Sequence, residues 1–350
     1  MHTDLLPIPT SALRLSIDRD ALRSNWLALD RLSGAARAGA AVKANGYGLG
    51  APIVLAELLA AGCRDFFVAH PAEAAELAPL APERSLTVLH GPLTGADAAW
   101  MRNAGVKPVI NSPEQAALWL EAGGGPCDLM VDTGMNRLGV PAALLGSESI
   151  ASLDVDVLHS HLACAEEPSA LNAQQLARWR GARSQVAHRQ AALANSAGIA
   201  LGADYHGDLT RPGLSLYGGI PCPALSGAIR QVARPQAAIL QVRSIEAGET
   251  VGYNATFTAR ESMRVATIAL GYADGYLRCW SDVGSLRNGD RQLPVIGRVS
   301  MDMTVIDVSG AADLREGDWV EADYSLPEAS AASGLSQYEL LTLLGRRFAR

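Results

Sequence analysis

Ala40-Ala41-Val42-Lys43-Ala44-Asn45-Gly46-Tyr47-Gly48-Leu49-Gly50 puts a short apolar run, a lysine and a glycine-rich loop in direct succession. Residues 40–44 read as a strand, and a helical period over 50–61 follows the loop. A doubly wound nucleotide-binding sheet would carry G-x-G-x-x-G in this loop, and that spacing is absent. Outward from it the alternation continues. Further strands are predicted at 65–69, 87–90, 107–110, 128–131, 157–162, 192–195 and 207–211. Helices are predicted at 21–32, 50–61, 71–80, 112–122 and 172–189. Asn111-Ser112-Pro113-Glu114 opens one of them with a capping residue and a proline. Eight strand–helix units between Asp18 and Gly219 are the signature of an α/β protein built as a (β/α)8 TIM-type barrel.

Near Gly219 the texture changes. Pro221, Pro223 and Pro235 bracket a linker, and strands follow at 236–245, 249–257, 264–270, 293–297, 303–308 and 319–322. Gly and Asp turns separate them, and a short helix at 336–344 closes the chain. The expected organisation is an N-terminal strand within 1–17 joining the β part, a barrel over 18–230, and a mostly β C-terminal domain over 231–350.

At 350 residues the chain has length for two domains and needs no disulfide or metal staple. A composition 49% hydrophobic and 19% charged excludes a disordered or collagen-like chain. The net charge of −7 argues against a nucleic-acid partner, which calls for clustered positive charge. No apolar run approaches the ~18 residues of a membrane span. Residues 1–20 lack the basic-then-apolar layout of a signal peptide. A cytoplasmic protein is expected. Cys63, Cys127, Cys164, Cys222 and Cys279 are scattered and form no C-x-x-C, which fits reduced thiols and no metal site.

Of the 29 basic residues only Lys43 and Lys107 are lysine. An amine can lose its proton and attack a carbonyl, whereas a guanidinium stays charged, so a lysine kept amid arginines points to that chemistry. Composition drift would leave two survivors as well. Lys43 falls at the C-terminal end of a barrel strand, where barrels build active sites and where burial makes an amine nucleophilic; a lysine snorkelling from the barrel mouth is the plain alternative. Phosphate sites in barrels follow strands seven and eight. Here those ends carry Asn195-Ser196-Ala197-Gly198 and Arg211-Pro212-Gly213-Leu214, which ordinary loop punctuation would also explain. His159 and His161 alternate along one strand, without further metal-ligand spacing, and suit a stacked ring or a core histidine better than a metal pair. Asp132-Thr133-Gly134-Met135-Asn136-Arg137 brings Arg137 to the same mouth as a partner for a carboxylate, or for a surface salt bridge.

Taken in order, six segments resemble the motifs of the alanine racemase family, pyridoxal-phosphate enzymes of fold type III. They are Ala41-Val42-Lys43-Ala44-Asn45-Gly46-Tyr47-Gly48, Val131-Asp132-Thr133-Gly134-Met135, Arg137-Leu138-Gly139, Arg211-Pro212-Gly213, Gly271-Tyr272-Ala273-Asp274-Gly275-Tyr276 and Arg298-Val299-Ser300-Met301-Asp302. The resemblance runs through nearly the whole chain. It implies that Lys43 holds pyridoxal 5'-phosphate as an aldimine and is the acid/base on one face of the substrate Cα. Tyr253, supplied by the partner subunit of a homodimer, would serve the other face. It further implies Tyr47, Ser196, Gly213 and Leu214 at the phosphate, His161 against the pyridine ring and Arg211 at the pyridine nitrogen. Arg137 and the backbone of Met301 would hold the substrate carboxylate, with Tyr272, Tyr276, Glu166 and Asp302 lining the entrance. The implied reaction interconverts L- and D-alanine and supplies D-alanine for peptidoglycan.

Elementary chemistry agrees with these roles. Racemisation needs a proton removed from one face and returned to the other, for which two opposed groups suffice. An arginine has only N–H donors, so a ring nitrogen beside it stays an unprotonated acceptor and a weaker electron sink. Met130 stands where many members carry a carbamylated lysine beside the arginine after it, leaving Asn136 as a neighbour that could hold Arg137. Glu166, Asn254 and Ser300 also depart from the common pattern. Three rivals keep part of the reading: a racemase of serine or a broader amino-acid range, a fold-type-III decarboxylase, and a non-catalytic carrier of the cofactor. The segment around Tyr253 and the turn at Arg211 weigh against the decarboxylase, which needs no second-face base, and the second domain over 236–350 with Tyr253 weighs against the carrier, whose kind is a single barrel.

Overall fold

The computed structural model describes residues 10–350, so residues 1–9 of the expected N-terminal strand lie outside the described residues. The chain divides into two units, Arg19–Gln231 on the one hand, and the N-terminal segment up to Asp18 with Val232–Arg350 on the other. A first strand, β1 (Leu13–Ile17), belongs to the second of these.

The first unit opens with the helix Arg19–Leu32, which buries Ala21, Leu22, Trp26 and Leu29 at helical spacing. One barrel stave follows in two halves, β2 (Arg37–Ala38) and β3 (Ala40–Ala41). At Gly39 between them a Cβ would sit 2.8 Å from the Asp65 carbonyl oxygen and 2.9 Å from the Phe67 ring, so only glycine permits the approach. The remaining strands are β4 (Phe66–Val68), β5 (Leu86–Val88), β6 (Lys107–Ile110), β7 (Pro126–Asp132), β8 (Val140–Pro141), β9 (Asp154–His159), β10 (Gln190–Ala192) and β11 (Leu209–Thr210). They pair in the order β10-β9-β7-β6-β5-β4-β3, with the short β8 beside β7 and β11 parallel to β2. Hydrogen bonds from Arg211 N–H to the Ala194 carbonyl (2.8 Å) and from Ala41 N–H to the Pro212 carbonyl (2.9 Å) link β11 to both neighbours. The ring closes, and the expected (β/α)8 barrel is present.

Helices alternate with these strands as the periodicity requires. Ser112 caps Pro113–Glu121 by accepting the Gln115 N–H at 3.2 Å. Gly95–Asn103 is capped reciprocally by Thr94 and Asp97. In the barrel β4, β5 and β11 end one or two residues before their expected C-terminal ends, and three strands end three residues before theirs. The runs 40–44, 157–162 and 192–195 leave the ladder at Ala41, His159 and Ala192. In each case the apolar pattern continues while the backbone turns out to place polar side chains at the barrel mouth.

In the second unit β1 runs antiparallel to the long β12 (Ala233–Ile245), pairing Leu13 with Ala237. The other strands are β13 (Thr250–Val251), β14 (Phe257–Thr258), β15 (Met263–Ile268), β16 (Ser285–Asn288), β17 (Arg291–Pro294), β18 (Thr304–Asp307) and β19 (Trp319–Ala322). The main sheet orders them β17-β16-β19-β12-β15-β18. The expected single strand over 249–257 is instead β13, a tight turn at Tyr253–Ala255 and β14, because Asn254 (φ 62°) and Ala255 (φ 48°) are left-handed. Helices Leu326–Ser333 and Gln337–Thr342 complete the unit, the first of them unforeseen. No helix among the described residues is long and apolar enough to cross a membrane.

Candidate active site

Lys43 leaves the end of β3 and enters a left-handed turn. Ala44, Asn45, Gly46 and Tyr47 have φ of 53°, 54°, 61° and 52°. For residues bearing a Cβ that conformation costs roughly 1–2 kcal/mol each, so the surroundings must hold it. Glu73 does much of this: one carboxylate oxygen accepts the Ala44 N–H at 2.7 Å and the other accepts the Ala69 N–H at 2.6 Å. Asn45 Oδ1 accepts the Ala51 N–H at 2.9 Å. Lys43 itself is half-buried. Burial lowers its pKa below the ordinary lysine value; the Arg137 and Arg211 charges push the same way and Glu73 opposes them. The neutral, nucleophilic amine is thereby made accessible.

Arg211, at the end of β11, is buried and extensively bonded. Its Nη1 donates to His159 Nδ1 and to the Ala192 carbonyl, both at 2.9 Å, and its Nη2 donates to the Ser160 carbonyl. Burial pushes its pKa down to about 10 while Asp128 pulls upward, which leaves a cation at neutral pH. Three of five N–H donors are spent, and two remain for a ligand. His159 Nε2 in turn lies 2.9 Å from Asp128 Oδ2.

A cradle lies between the ends of β10 and β11. Ser196 Oγ accepts the Gly213 N–H at 3.0 Å and the Ser215 N–H at 3.3 Å, which keeps its own proton for an outside acceptor. Ser215 Oγ is buried with no partner among the described residues. A Cβ at Gly213 would collide with the Tyr47 hydroxyl, so only glycine fits. Tyr47 stacks on Tyr217 at 4.6 Å between ring centroids, and the Tyr217 hydroxyl is anchored to the Ala41 carbonyl at 2.8 Å. Leu214 is buried beside them. A Ser196 hydroxyl with its proton to give and a buried Ser215 hydroxyl with no partner among the described residues suit a phosphate monoester.

The other expected residues fall as follows. His161 lies just beyond β9, its pKa pushed down to about 3 by burial, Arg211, Arg137 and Lys43. The guanidinium of Arg137 is exposed and has no ion-pair partner among the described residues. Neighbouring Asn136 is not bonded to it; its N–H goes to Asp132 Oδ1 at 3.2 Å. Met130 is buried in β7, and Glu166 is exposed. In the second unit Tyr253 is 67% exposed and Met301 54% exposed. Tyr272 is half-buried, with the Arg278 guanidinium 5.3 Å from its ring centre. Tyr276 is buried and stacked on Trp280 at 5.1 Å. Arg347 ties the buried Asp274 to Asp302, at 2.6 and 2.8 Å. Glu73, Asp128 and Arg347 were not among the expected site residues. Only Asp128, an acid inside an apolar strand run, left a visible signal.

The family model for the alanine racemase N-terminal domain matches residues 17–221, and that for the alanine racemase C-terminal domain matches 232–350. An alanine racemase of Rhizobium meliloti is 41% identical, covering 97% of this chain and 97% of its own length. A biosynthetic alanine racemase of Agrobacterium fabrum is also 41% identical, over 97% of this chain and 93% of its own. Among solved structures, the alanine racemase of Bartonella henselae with covalently bound pyridoxal phosphate superimposes with a TM-score of 0.89 at 34% identity, covering 98% of this chain and 99% of that one. With both halves matched and relatives aligned end to end, the chain belongs to the alanine racemase family.

Proposed function

We propose that the protein is a pyridoxal-phosphate-dependent racemase that interconverts L- and D-alanine. The observation that carries this reading is the meeting, at one end of the barrel, of a desolvated amine, a donor-only guanidinium and a cradle with a buried unpartnered hydroxyl. That donor set fits the cofactor. Lys43 Nζ would hold its aldehyde carbon, and Tyr47, Ser196 and the backbone of Gly213 and Leu214 its phosphate. His161 would face the ring, and Arg211 the ring nitrogen. When bound, pyridoxal phosphate supplies the electron sink for charge left at Cα.

The chain's own residues do the rest. Lys43 Nζ takes or returns the Cα proton on one face, which its lowered pKa favours. Tyr253 Oη, from the partner subunit of a homodimer, would do so on the other; its exposure on a tight turn supports that role. Arg137, with no ion-pair partner among the described residues, would receive the substrate carboxylate together with the Met301 backbone. Tyr272, Tyr276, Glu166 and Asp302 restrict the approach. D-alanine made in this way would serve peptidoglycan synthesis in the cytoplasm.

The test gives purified, cofactor-loaded protein L-alanine, L-serine and a basic amino acid in turn, following both enantiomers and carbon dioxide. D-alanine well ahead of the other products, without carbon dioxide, is expected. D-serine or a D-basic amino acid in the lead would move the substrate, and carbon dioxide would replace racemisation with decarboxylation.

A further inference from the structure

A row of charged and polar side chains runs through the barrel from its N-terminal end to Arg211. Lys107, the other lysine of the chain, starts β6 and is buried; its Nζ lies 2.7 Å from Asp156 Oδ2 and 3.4 Å from Asp128 Oδ1. Asp128, fully buried in β7, accepts the Val157 N–H at 3.2 Å with Oδ1 and faces His159 Nε2 with Oδ2. His159, also fully buried, has the Phe67 ring edge-on at 5.8 Å and meets Arg211 Nη1 with Nδ1.

The proton positions in this row follow from what each group can donate. Arg211 has only donors, so His159 Nδ1 must present its lone pair. The ring proton therefore sits on Nε2 and is donated to Asp128, which must be the carboxylate. Lys107 keeps that carboxylate ionised: Asp128 is held below the usual carboxylate range by the Lys107 charge and the His159 bond, against its burial. An imidazolium at His159 would set N–H against N–H and cation against cation, and its pKa is accordingly pushed down to about 4, chiefly by burial and by Arg211. Reversing one member reverses the rest. A protonated Asp128 that donated to Nε2 would move the ring proton to Nδ1, where it would confront the guanidinium.

We propose that Lys107, Asp128 and His159 are positioning residues for Arg211, fixing its guanidinium so that one of its remaining donors meets the ring nitrogen of the cofactor and keeps that nitrogen unprotonated. The proposal rests on the reading of Arg211 given above. It assigns the second lysine, Asp128 and His159 a part in the site, although none of them touches substrate or cofactor. Holding a donor by a buried histidine that is itself oriented by a carboxylate is a familiar way to fix direction and tautomer together.

The experiment loads the full-length protein with pyridoxal phosphate labelled with 15N in the ring and records the ring-nitrogen resonance, alongside kcat and KM for L-alanine. The variants are His159→Leu, His159→Gln and Arg211→Ala. His159→Leu removes the acceptor, whereas in His159→Gln an amide oxygen can still accept from Arg211 and its NH2 can donate to Asp128. The expected result is a displaced resonance and a kcat lower by roughly ten- to a hundredfold in His159→Leu with KM little changed. His159→Gln should restore both toward the native values. A native resonance in His159→Leu, whatever its stability, would overturn the positioning role provided that Arg211→Ala displaces it. A native resonance in Arg211→Ala would instead overturn the placement of Arg211 at the ring nitrogen, and the positioning role with it. If His159→Leu does not accumulate as folded protein, Asp128→Asn replaces it with the same expected displacement, and an unmoved resonance counts equally against the proposal.

Discussion

Lys43 shows most directly how function is set against stability. Its folded-state pKa is lowered by burial, so the unfolded chain binds that proton more tightly than the folded one does. Below the folded pKa the protein therefore carries the full cost of burying a cation, and the cost disappears as pH rises toward the ordinary lysine value of 10.5. Lys43→Met should raise the urea midpoint of cofactor-free protein at pH 7 relative to native protein, with the gain shrinking in alkaline buffer. It should also abolish racemisation, and borohydride treatment with cofactor present should leave no label on the peptide spanning residue 43. A label retained there would contradict the role of Lys43. Glu73 acts one step away. As a carboxylate it accepts two backbone N–H groups at once, from Ala44 and Ala69. In Glu73→Gln one of those N–H groups would face an NH2 donor, a loss of about 1–3 kcal/mol. Because the left-handed turn after Lys43 depends on that staple, weaker cofactor retention should accompany the lower urea midpoint. A variant as stable and as fully loaded as native would show that the turn stands without Glu73.

At the scale of elements, the most informative segment is the end of β9, where the strand yields to Ser160 and His161. The sequence pattern made 157–162 one strand and set both histidines on one side of it. The ladder in fact ends at His159, and the two rings take different work. One is locked between Asp128 and Arg211, and the other lies beyond the strand. Alternation marks the strand well enough, but nothing local tells where it stops, because the bonds that end it come from β7 and β11. The same holds for Asp128, whose partners Lys107 and His159 lie on neighbouring staves and could not be paired from spacing alone. Both histidines are held neutral, with pKa pushed down to about 4 for His159 and about 3 for His161. Both values lie below the ordinary 6.5. Between 6.5 and those values the unfolded chain takes up protons that the folded chain refuses, so stability falls as pH falls. Each histidine contributes at most about 1.4 kcal/mol per pH unit. The urea midpoint of cofactor-free His161→Gln should accordingly fall less between pH 7 and pH 5 than that of native protein. Parallel declines would show that His161 titrates normally in the folded state.

For the whole molecule, the outline was legible because it rests on repetition. Eight apolar runs separated by helical segments could be counted, as could the change to strands after Gly219. Short elements with weak patterns, such as β16 and the helix Leu326–Ser333, were missed for want of that repetition. The working assembly is a different matter, since a residue's neighbours in a partner subunit leave no periodicity in its own sequence. Lys43 sits in the barrel unit and Tyr253 in the β-rich unit, and the proposed homodimer joins the two residues from different chains. That arrangement has an arithmetic consequence. Lys43→Ala and Tyr253→Phe homodimers would each lack one of the two bases in every site. A mixed dimer of the two variants would have one site with both defects and one with neither, because each chain supplies what the other lacks. Unfolding and refolding an equal mixture should therefore restore about a quarter of native activity, since half the dimers are mixed under random pairing and half of their sites are intact. Activity that stays at the level of the separate variants, in a mixture shown by mass to contain mixed dimers, would place both bases on one chain.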